Sequence, residues 1–327
     1  GSGNGRNLIY LAKTYGMRGT GYDISDEGVK QAEKASTGLP LKYVVRSIEG
    51  VLDMKDASVD IVLDMMTSHF LREQERAMLL AETLRVLKPG AHLLAFGGTR
   101  THHRMVCAIE DAGFEIRDEM QWLYGSGFPK SLDVSKAIDK AAGAERQVVG
   151  RTKRDAGGKS SHAFEKSREL EYDITAPATE AARQWDGWGT ALKPACEPIC
   201  VARKPLCGTV VANVLAHGTG AINVDGCRVE AGSELKSGTY TRAPDGVHST
   251  GLAGSFIYDG SKGRWPANLL HDGSEDVLAG FPESQGGNWC GVQNGTALFG
   301  QGNVGFKGTG PEGDQGSAAR FFYSAKA

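Results

Sequence analysis

Apolar residues recur three and four positions apart over Leu8–Tyr15, where Leu8, Leu11 and Ala12 share one helix face. Asp26–Ala35 reads as a second helix, with Ser25 placed to cap its first turn. Glu73–Leu87 is amphipathic, carrying Met78, Leu79, Ala81, Leu84 and Val86, and Lys88-Pro89-Gly90 is expected to stop it. Thr101–Ala112 is a fourth helix, closed by Gly113. Between them, Met17–Ile24, Lys42–Val45, Val59–Asp64, His92–Phe96 and Phe114–Trp122 read as strands. Val59–Asp64 is nearly continuous in apolar residues, as in a strand covered on both faces. Strand and helix alternate with short connections, which predicts an α/β, doubly wound parallel sheet over residues 1–125.

The texture changes after Trp122. Asp133–Ala142 and Thr175–Gln184 read as short helices, and Pro198–Lys204 as a strand returning to the core. Arg146–Arg168 holds no periodic apolar pattern and is expected to be a loop. More than half of the 45 glycines fall in residues 201–327, which favours turns and short strands there over a helical bundle. The expected organisation is a cofactor-binding and catalytic domain over 1–125, a loop-rich region over 126–315, and a terminal core strand over 316–327.

Composition narrows the class without naming it. A chain of 327 residues with 40% hydrophobic and 23% charged residues is globular. The net charge of -2 excludes a strongly basic protein as a whole. A basic stretch survives locally: Arg146, Arg151, Lys153, Arg154, Lys159, Lys166 and Arg168 outnumber Asp155 and Glu165. The longest apolar runs fall far short of the roughly 20 residues of a membrane span. No secretory leader pattern stands at the start, and the six cysteines form no Cys-x-x-Cys pair. Reduced thiols and a cytoplasmic location are the expectation.

Gly1-x-Gly3-x-Gly5 enters a helix, and the next strand carries Asp23 near its end. Glycines let the backbone turn tightly and approach a ligand, and a helix N-terminus offers free N–H groups. A carboxylate at the following strand end can accept both hydrogen bonds of a ribose diol. This spacing predicts a nucleoside cofactor.

The glycine loop, Gly21-Tyr22-Asp23-Ile24-Ser25, Val59-Asp60-Ile61-Val62-Leu63-Asp64 and Leu84-Arg85-Val86-Leu87-Lys88-Pro89-Gly90 together resemble the Rossmann-like S-adenosylmethionine-dependent methyltransferases. The resemblance covers about residues 1–95. It implies that Gly1, Gly3 and Gly5 lie against the methionine part of S-adenosylmethionine, that Asp23 holds the ribose and that Ile24 packs on the adenine. Ser47 and Ile48 would edge the adenine, and Asp64 would sit where substrate and methyl group meet. That class begins with an apolar strand running into the loop. Here the chain opens at the loop, so the first strand is expected to be missing from the sheet.

Residues 84–327 resemble the phage and bacterial DNA methyltransferases that modify exocyclic amines. Leu93-Leu94-Ala95-Phe96-Gly97-Gly98-Thr99-Arg100, Tyr124-Gly125-Ser126-Gly127-Phe128-Pro129-Lys130-Ser131 and Trp188-Gly189-Thr190-Ala191-Leu192-Lys193-Pro194-Ala195 carry the likeness, with Gly263-Arg264-Trp265-Pro266-Ala267-Asn268 and Arg320-Phe321-Phe322-Tyr323. Such enzymes flip the target base into a pocket and read sequence through an inserted region that also grips phosphates. The resemblance implies double-stranded DNA as partner, within a phage or restriction–modification setting. Residues 126–315 would be the recognition region. Arg151, Lys153, Arg154 and Lys159 are either phosphate contacts or a solvated charged loop. One element departs: where the family has Asp/Asn-Pro-Pro-Tyr/Phe, this chain reads Asp64-Met65-Met66-Thr67-Ser68-His69-Phe70. Asp64 could still accept from an amine, and Phe70 or His69 could stack on a base.

Other constellations carry less. His69, His102 and His103 lack metal-ligand spacing, so no metal is expected. Cys107 reads as a core residue. Trp185 and Trp188 read as core, with base stacking as the alternative. The leading expectation is an S-adenosylmethionine-dependent DNA methyltransferase acting on N6 of adenine or N4 of cytosine. A small-molecule methyltransferase and a non-catalytic DNA-binding remnant are the alternatives.

Overall fold

The computed structural model describes residues 1–48, 50–155, 169–230, 238–242, 254–258, 260–285 and 315–324. The chain folds as two compact units, Gly1–Leu123 with Cys196–Ala327, and Tyr124–Ala195.

In the first unit, helix α1 (Arg6–Tyr15) follows the glycine loop and ends at Gly16, whose φ of 66° lies in the left-handed region open to glycine. Strand β1 (Gly19–Asp23) leads into α2 (Asp26–Ala35), where the Ser25 hydroxyl accepts from the Gly28 amide as its sequence position predicted. Strand β2 (Leu41–Val45) pairs in parallel with β1, and the two form a sheet of their own. Then come β3 (Val59–Asp64), α3 (Glu73–Val86), β4 (Leu87–Phe96), α4 (His102–Asp111) and β5 (Glu115–Leu123).

The second unit holds α5 (Val134–Ala141), β6 (Val148–Asp155), β7 (Glu169–Thr175) and α6 (Glu180–Gln184). The chain rejoins the first unit with β8 (Cys196–Arg203), followed by α7 (Val210–His217), β9 (Gly238–Arg242) and β10 (Gly254–Tyr258). Strand β11 (Leu269–His271), α8 (Glu275–Leu278), β12 (Glu283–Gln285), β13 (Gln315–Ser317) and β14 (Tyr323–Ser324) complete it.

The main sheet has six strands in the order β14-β11-β5-β8-β4-β3. It is Rossmann-like and mixed: the strands of residues 1–125 that pair with one another do so in parallel, as expected, and the antiparallel member comes from later in the chain. Strand β8 runs antiparallel to both β4 and β5, because the chain re-enters beside the point where it left: Leu123 pairs with Cys196. Residues 124–195 form the second unit, and the later strands β8, β11 and β14 are hydrogen-bonded into the sheet.

The core lies under this sheet. Leu80, Leu87, Leu93, Met105, Ile109 and Phe114 are buried together between the strands and helices α3 and α4. On α4, His102, Met105 and Ile109 take the inward positions three and four apart. Cys107 lies between those positions and is exposed, against expectation.

The Lys88-Pro89-Gly90 stop works differently from the reading. Strand β4 starts at Leu87 and absorbs the Pro-Gly as an irregularity, with the β3–β4 register shifting between Val59 and Ile61. Gly90 takes φ 76° there, and its amide donates to the Lys204 and Pro205 carbonyls. The expected loop over Arg146–Arg168 is corrected too. Its first part is β6, antiparallel to β7 with Arg151 opposite Asp173. Gly150-Arg151-Thr152-Lys153-Arg154 of β6 carries no apolar alternation, whereas β7 does alternate at Leu170, Tyr172 and Ile174, a signal the sequence reading passed over.

One buried node ties the second unit. The Asp139 carboxylate is fully buried and accepts from the Ala178 amide at 2.9 Å and the Thr179 amide at 3.0 Å. It also accepts from the Thr179 hydroxyl at 2.8 Å and the Arg146 guanidinium at 2.6 Å. Arg146 in turn donates to Ser135 and Thr175. Burial pushes the Asp139 carboxyl up, and these donors outweigh it and leave it at about 2.

Candidate functional site: the glycine loop and the strand-end acids

Gly1 to Gly5 form a tight turn at the carboxyl end of β1. The Ser2 amide donates to the Tyr22 carbonyl at 2.7 Å, and the Gly5 amide to the Ser2 carbonyl at 3.0 Å. Gly3 and Gly5 have φ of 52° and 76°, backbone shapes that side chains rarely adopt. At Gly1 a Cβ would lie 2.9 Å from Asp23 Oδ2, so a side chain there would push the carboxylate aside. No side chain caps the α1 N-terminus, where Gly5 is the N-cap, so its first N–H groups carry no side-chain partner.

Asp23 closes the loop from below. Its Oδ2 accepts from the Gly3 amide at 2.7 Å and its Oδ1 from the Ser25 amide at 2.9 Å. Each carboxylate oxygen keeps a further lone pair. Ile24 follows, 78% exposed. Ser47 is exposed and Ile48 half-buried in the turn after β2. These residues fit a nucleoside cofactor. The glycine backbone and helix end can face its charged tail, Asp23 can take a ribose diol, and the bare Ile24 side chain offers an apolar seat for a base.

Asp64 is only 8% exposed. Its Oδ1 accepts from the Thr67 amide at 2.8 Å and the Ser68 amide at 3.1 Å, and Oδ2 from Ser68 at 3.3 Å. It thereby caps the turn after β3, in which Met66 takes φ 63°, an uncommon conformation for a side-chain-bearing residue. The Gly1 amino group donates to the Thr67 hydroxyl, which brings the glycine loop to this same turn.

Beyond the turn, Phe70 is 78% exposed and sits edge-on to His69, with ring centroids 4.9 Å apart. His69 Nδ1 lies 2.6 Å from the Thr101 hydroxyl. Sequence reading missed this bond because the two residues are 32 positions apart. His102 Nε2 stands 3.6 Å from Glu119, and among the described residues no group of three potential ligands could hold a metal.

The proposed phosphate contacts lie in the second unit. Arg151 is exposed on β6 and bonds Asp173 at 3.1 Å. Lys153 and Arg154 fall on β6, while Lys159 lies outside the described residues. Trp185 and Trp188 are exposed, not core, and meet edge to face at 5.1 Å.

Residues 1–95 match the methyltransferase domain family. The matched stretch contains the glycine loop, Asp23 and Asp64. The chain is 28% identical over 145 residues to the type II methyltransferase M.HindIII of Haemophilus influenzae, covering 43% of this chain and 36% of that protein. It is 36% identical over 93 residues to phthiotriol/phenolphthiotriol dimycocerosates methyltransferase 1 of Mycobacterium ulcerans, covering 28% of this chain and 33% of that one. The chain thus spans about a third of the length of these relatives. Among solved structures, a TehB-like S-adenosylmethionine-dependent methyltransferase from Corynebacterium glutamicum is 22% identical, with a TM-score of 0.33 over 37% of this chain and 65% of that one. A methyltransferase from Bacillus halodurans is 16% identical, with a TM-score of 0.35 over 62% and 90%. Among the described residues no helix is long and apolar enough to cross a membrane.

Proposed function

We propose that the chain methylates an exocyclic amine of double-stranded DNA, N6 of adenine or N4 of cytosine, with S-adenosylmethionine as methyl donor. The observation that carries this reading is the inserted unit Tyr124–Ala195. It leaves and re-enters the sheet at one register pair and bears exposed Phe128, Trp185 and Trp188 with Arg151 on its hairpin. Aromatic faces and basic side chains on a separately folded insert suit recognition of bases and phosphates. The resemblance of residues 84–327 to DNA amino-methyltransferases and the match to M.HindIII support it.

Bound S-adenosylmethionine would supply an electrophilic methyl group. Gly1, Gly3 and Gly5 hold its charged tail, Asp23 its ribose hydroxyls, and Ile24 with Ser47 and Ile48 its adenine. Asp64 Oδ2, with its single long hydrogen bond, accepts from the target amine and aims the nitrogen lone pair. Phe70 offers its exposed face to the flipped base. Transfer of a labelled methyl group to mixed-sequence duplex DNA, followed by digestion to nucleosides, tests the reading. Label on adenine or cytosine supports it, and full transfer by Asp64→Ala rules out the role of Asp64.

A small-molecule substrate is the second reading. It is favoured by the absence of the Pro-Pro pair and by the capped, nearly buried Asp64. Cofactor binding without label on DNA would favour it, as would duplex binding without salt dependence.

A further inference from the structure

Residues 263–268 and 320–323, far apart in the chain, meet in the first unit. Arg264 and Arg320 both place their guanidinium groups over the Phe321 ring, 5.3 Å and 4.4 Å from its centroid. A third segment joins them through an antiparallel bridge between Val229 and Arg264, closed by backbone bonds of 3.1 Å and 2.8 Å. Gly263 makes this closure possible. Its φ is 81°, and a Cβ there would lie 2.5 Å from the Val229 carbonyl oxygen.

One step from the bridge, antiparallel pairing sets Arg228 opposite Trp265. The Arg228 guanidinium lies over the indole, 5.3 Å from its centroid. It is held there, because its Nε donates to Asp225 at 2.8 Å and a terminal nitrogen to the Gly263 carbonyl at 3.2 Å. Past the ring, the Asn268 carbonyl accepts from the Gln121 amide at 2.8 Å, which ties the segment to β5. The indole is therefore backed by a fixed cation, yet Trp265 remains 67% exposed. A ring already held in place spares a ligand the entropy of ordering it.

Charge indicates what the exposed ring takes. Residues 225–230 and 260–265 carry Arg228, Lys262 and Arg264 against Asp225 and Glu230, and Arg320 adds a fourth cation beside Phe321. The Lys262 side chain is 55% exposed and stands 3.5 Å from Asp225, a loose pair that leaves it able to reach outward. A flat ring among cations suits a ligand that is planar and anionic at once, a nucleobase with its phosphate. A base inside a duplex has both faces covered by its neighbours, so the ring can stack only on an unpaired one. The ring also stands apart from the strand-end acids. Residues 263–268 enter β11 at its amino end, Asp64 lies at the carboxyl end of β3, and β3, β4, β5 and β11 run in one direction.

We propose that Trp265 is a stacking platform for an unpaired DNA base, with Arg228 backing the indole and Lys262 meeting the phosphate. The choice of DNA rests on the proposed function, and the platform adds a contact outside the inserted unit.

The probe is a labelled oligothymidine of about twelve nucleotides, followed by fluorescence anisotropy without cofactor. The full chain is expected to bind it, Trp265→Ala to weaken binding about tenfold, and Trp265→Phe to restore most of that loss. Lys262→Ala should lower the salt slope by about 0.7, and an unchanged slope overturns the phosphate contact. Sensitivity to Trp265→Ala confined to the single strand assigns the base to a free strand. Sensitivity of a bulged duplex as well assigns it to an interrupted helix, and either supports the platform. A strand containing bromodeoxyuridine should photocrosslink to Trp265 of the unaltered chain, a check that needs no variant. No binding of the strand, equal binding by Trp265→Ala, the same sensitivity in a blunt duplex, or a crosslink confined to Trp185 and Trp188 overturns the platform. So does a dimer that Trp265→Ala dissolves, since the indole then faces a second copy. Trp265-dependent strand binding by a chain that methylates no DNA supports the platform and sinks only the proposed reaction.

Discussion

The two sheets of the first unit are built to different standards. The six-stranded sheet rests on a core of ten buried residues, nine drawn from α3, β4, α4 and β8 and one, Phe114, standing just ahead of β5. The β1–β2 sheet rests on Val29, Ala32 and Tyr43, with Leu8 and Leu41 packed beside them. Yet the small sheet carries Asp23 and the close of the glycine loop. The proposed cofactor seat thus stands on the less supported half. Local opening costs least where few apolar contacts are lost, and ligand-binding segments are drawn from such regions.

This contrast can be broken most sharply in the larger core. Leu93→Ala, at a site 1% exposed, is expected to cost about 3 kcal/mol and lower the global midpoint of urea unfolding. Val29→Ala in the small core should cost about 1.5 kcal/mol. Its effect should appear as faster amide exchange in β1 and β2, with the main sheet unchanged. Equal global losses from the two would mean that the sheets unfold as one.

Asp23→Ala comes next in size. It should weaken S-adenosylmethionine binding at least tenfold, about 1.4 kcal/mol, by calorimetry, and leave duplex DNA binding intact. Unchanged cofactor affinity would remove Asp23 from the ribose role.

The second unit supplies a contrast in pH. Because the Asp139 carboxyl is held at about 2, below the ordinary carboxylate value, its contribution to stability is complete above about pH 4. That contribution fades as pH falls through 2. Asp139→Asn should destabilise the second unit at pH 7 and make it less acid-sensitive between pH 4 and 2, followed by tryptophan fluorescence. The smallest effect is expected at the surface. Arg151→Ala should weaken duplex binding a few-fold and reduce the salt slope by about 1. No change in slope would leave Arg151 as the partner of Asp173 alone.

Much of the first hundred residues was legible because local rules suffice there. Ser25 caps α2 through its own hydroxyl, and Val59–Asp64 is a strand at the predicted limits. The glycines and Asp23 meet across twenty positions because a turn, a helix and a short strand leave them no other arrangement. The candidate site was less legible at Asp64. Its burial and its bonds to Thr67 and Ser68 depend on how the turn folds back, which no spacing shows. The exposure of Trp185 and Trp188 escaped for the same reason, since apolar character alone does not place a side chain inside.

The sequence by itself determined the alternation of helices and strands, the glycine loop with its acid, and the point near residue 124 where a new region begins. These rest on periodicity, capping and turn chemistry, which act within a few residues. Tertiary structure alone decided the antiparallel seat of β8, the β6–β7 pairing and the Asp139–Arg146 node. Each depends on partners brought together from distant parts of the chain, where hydrogen-bond pairing and burial select one arrangement among many that local preference allows.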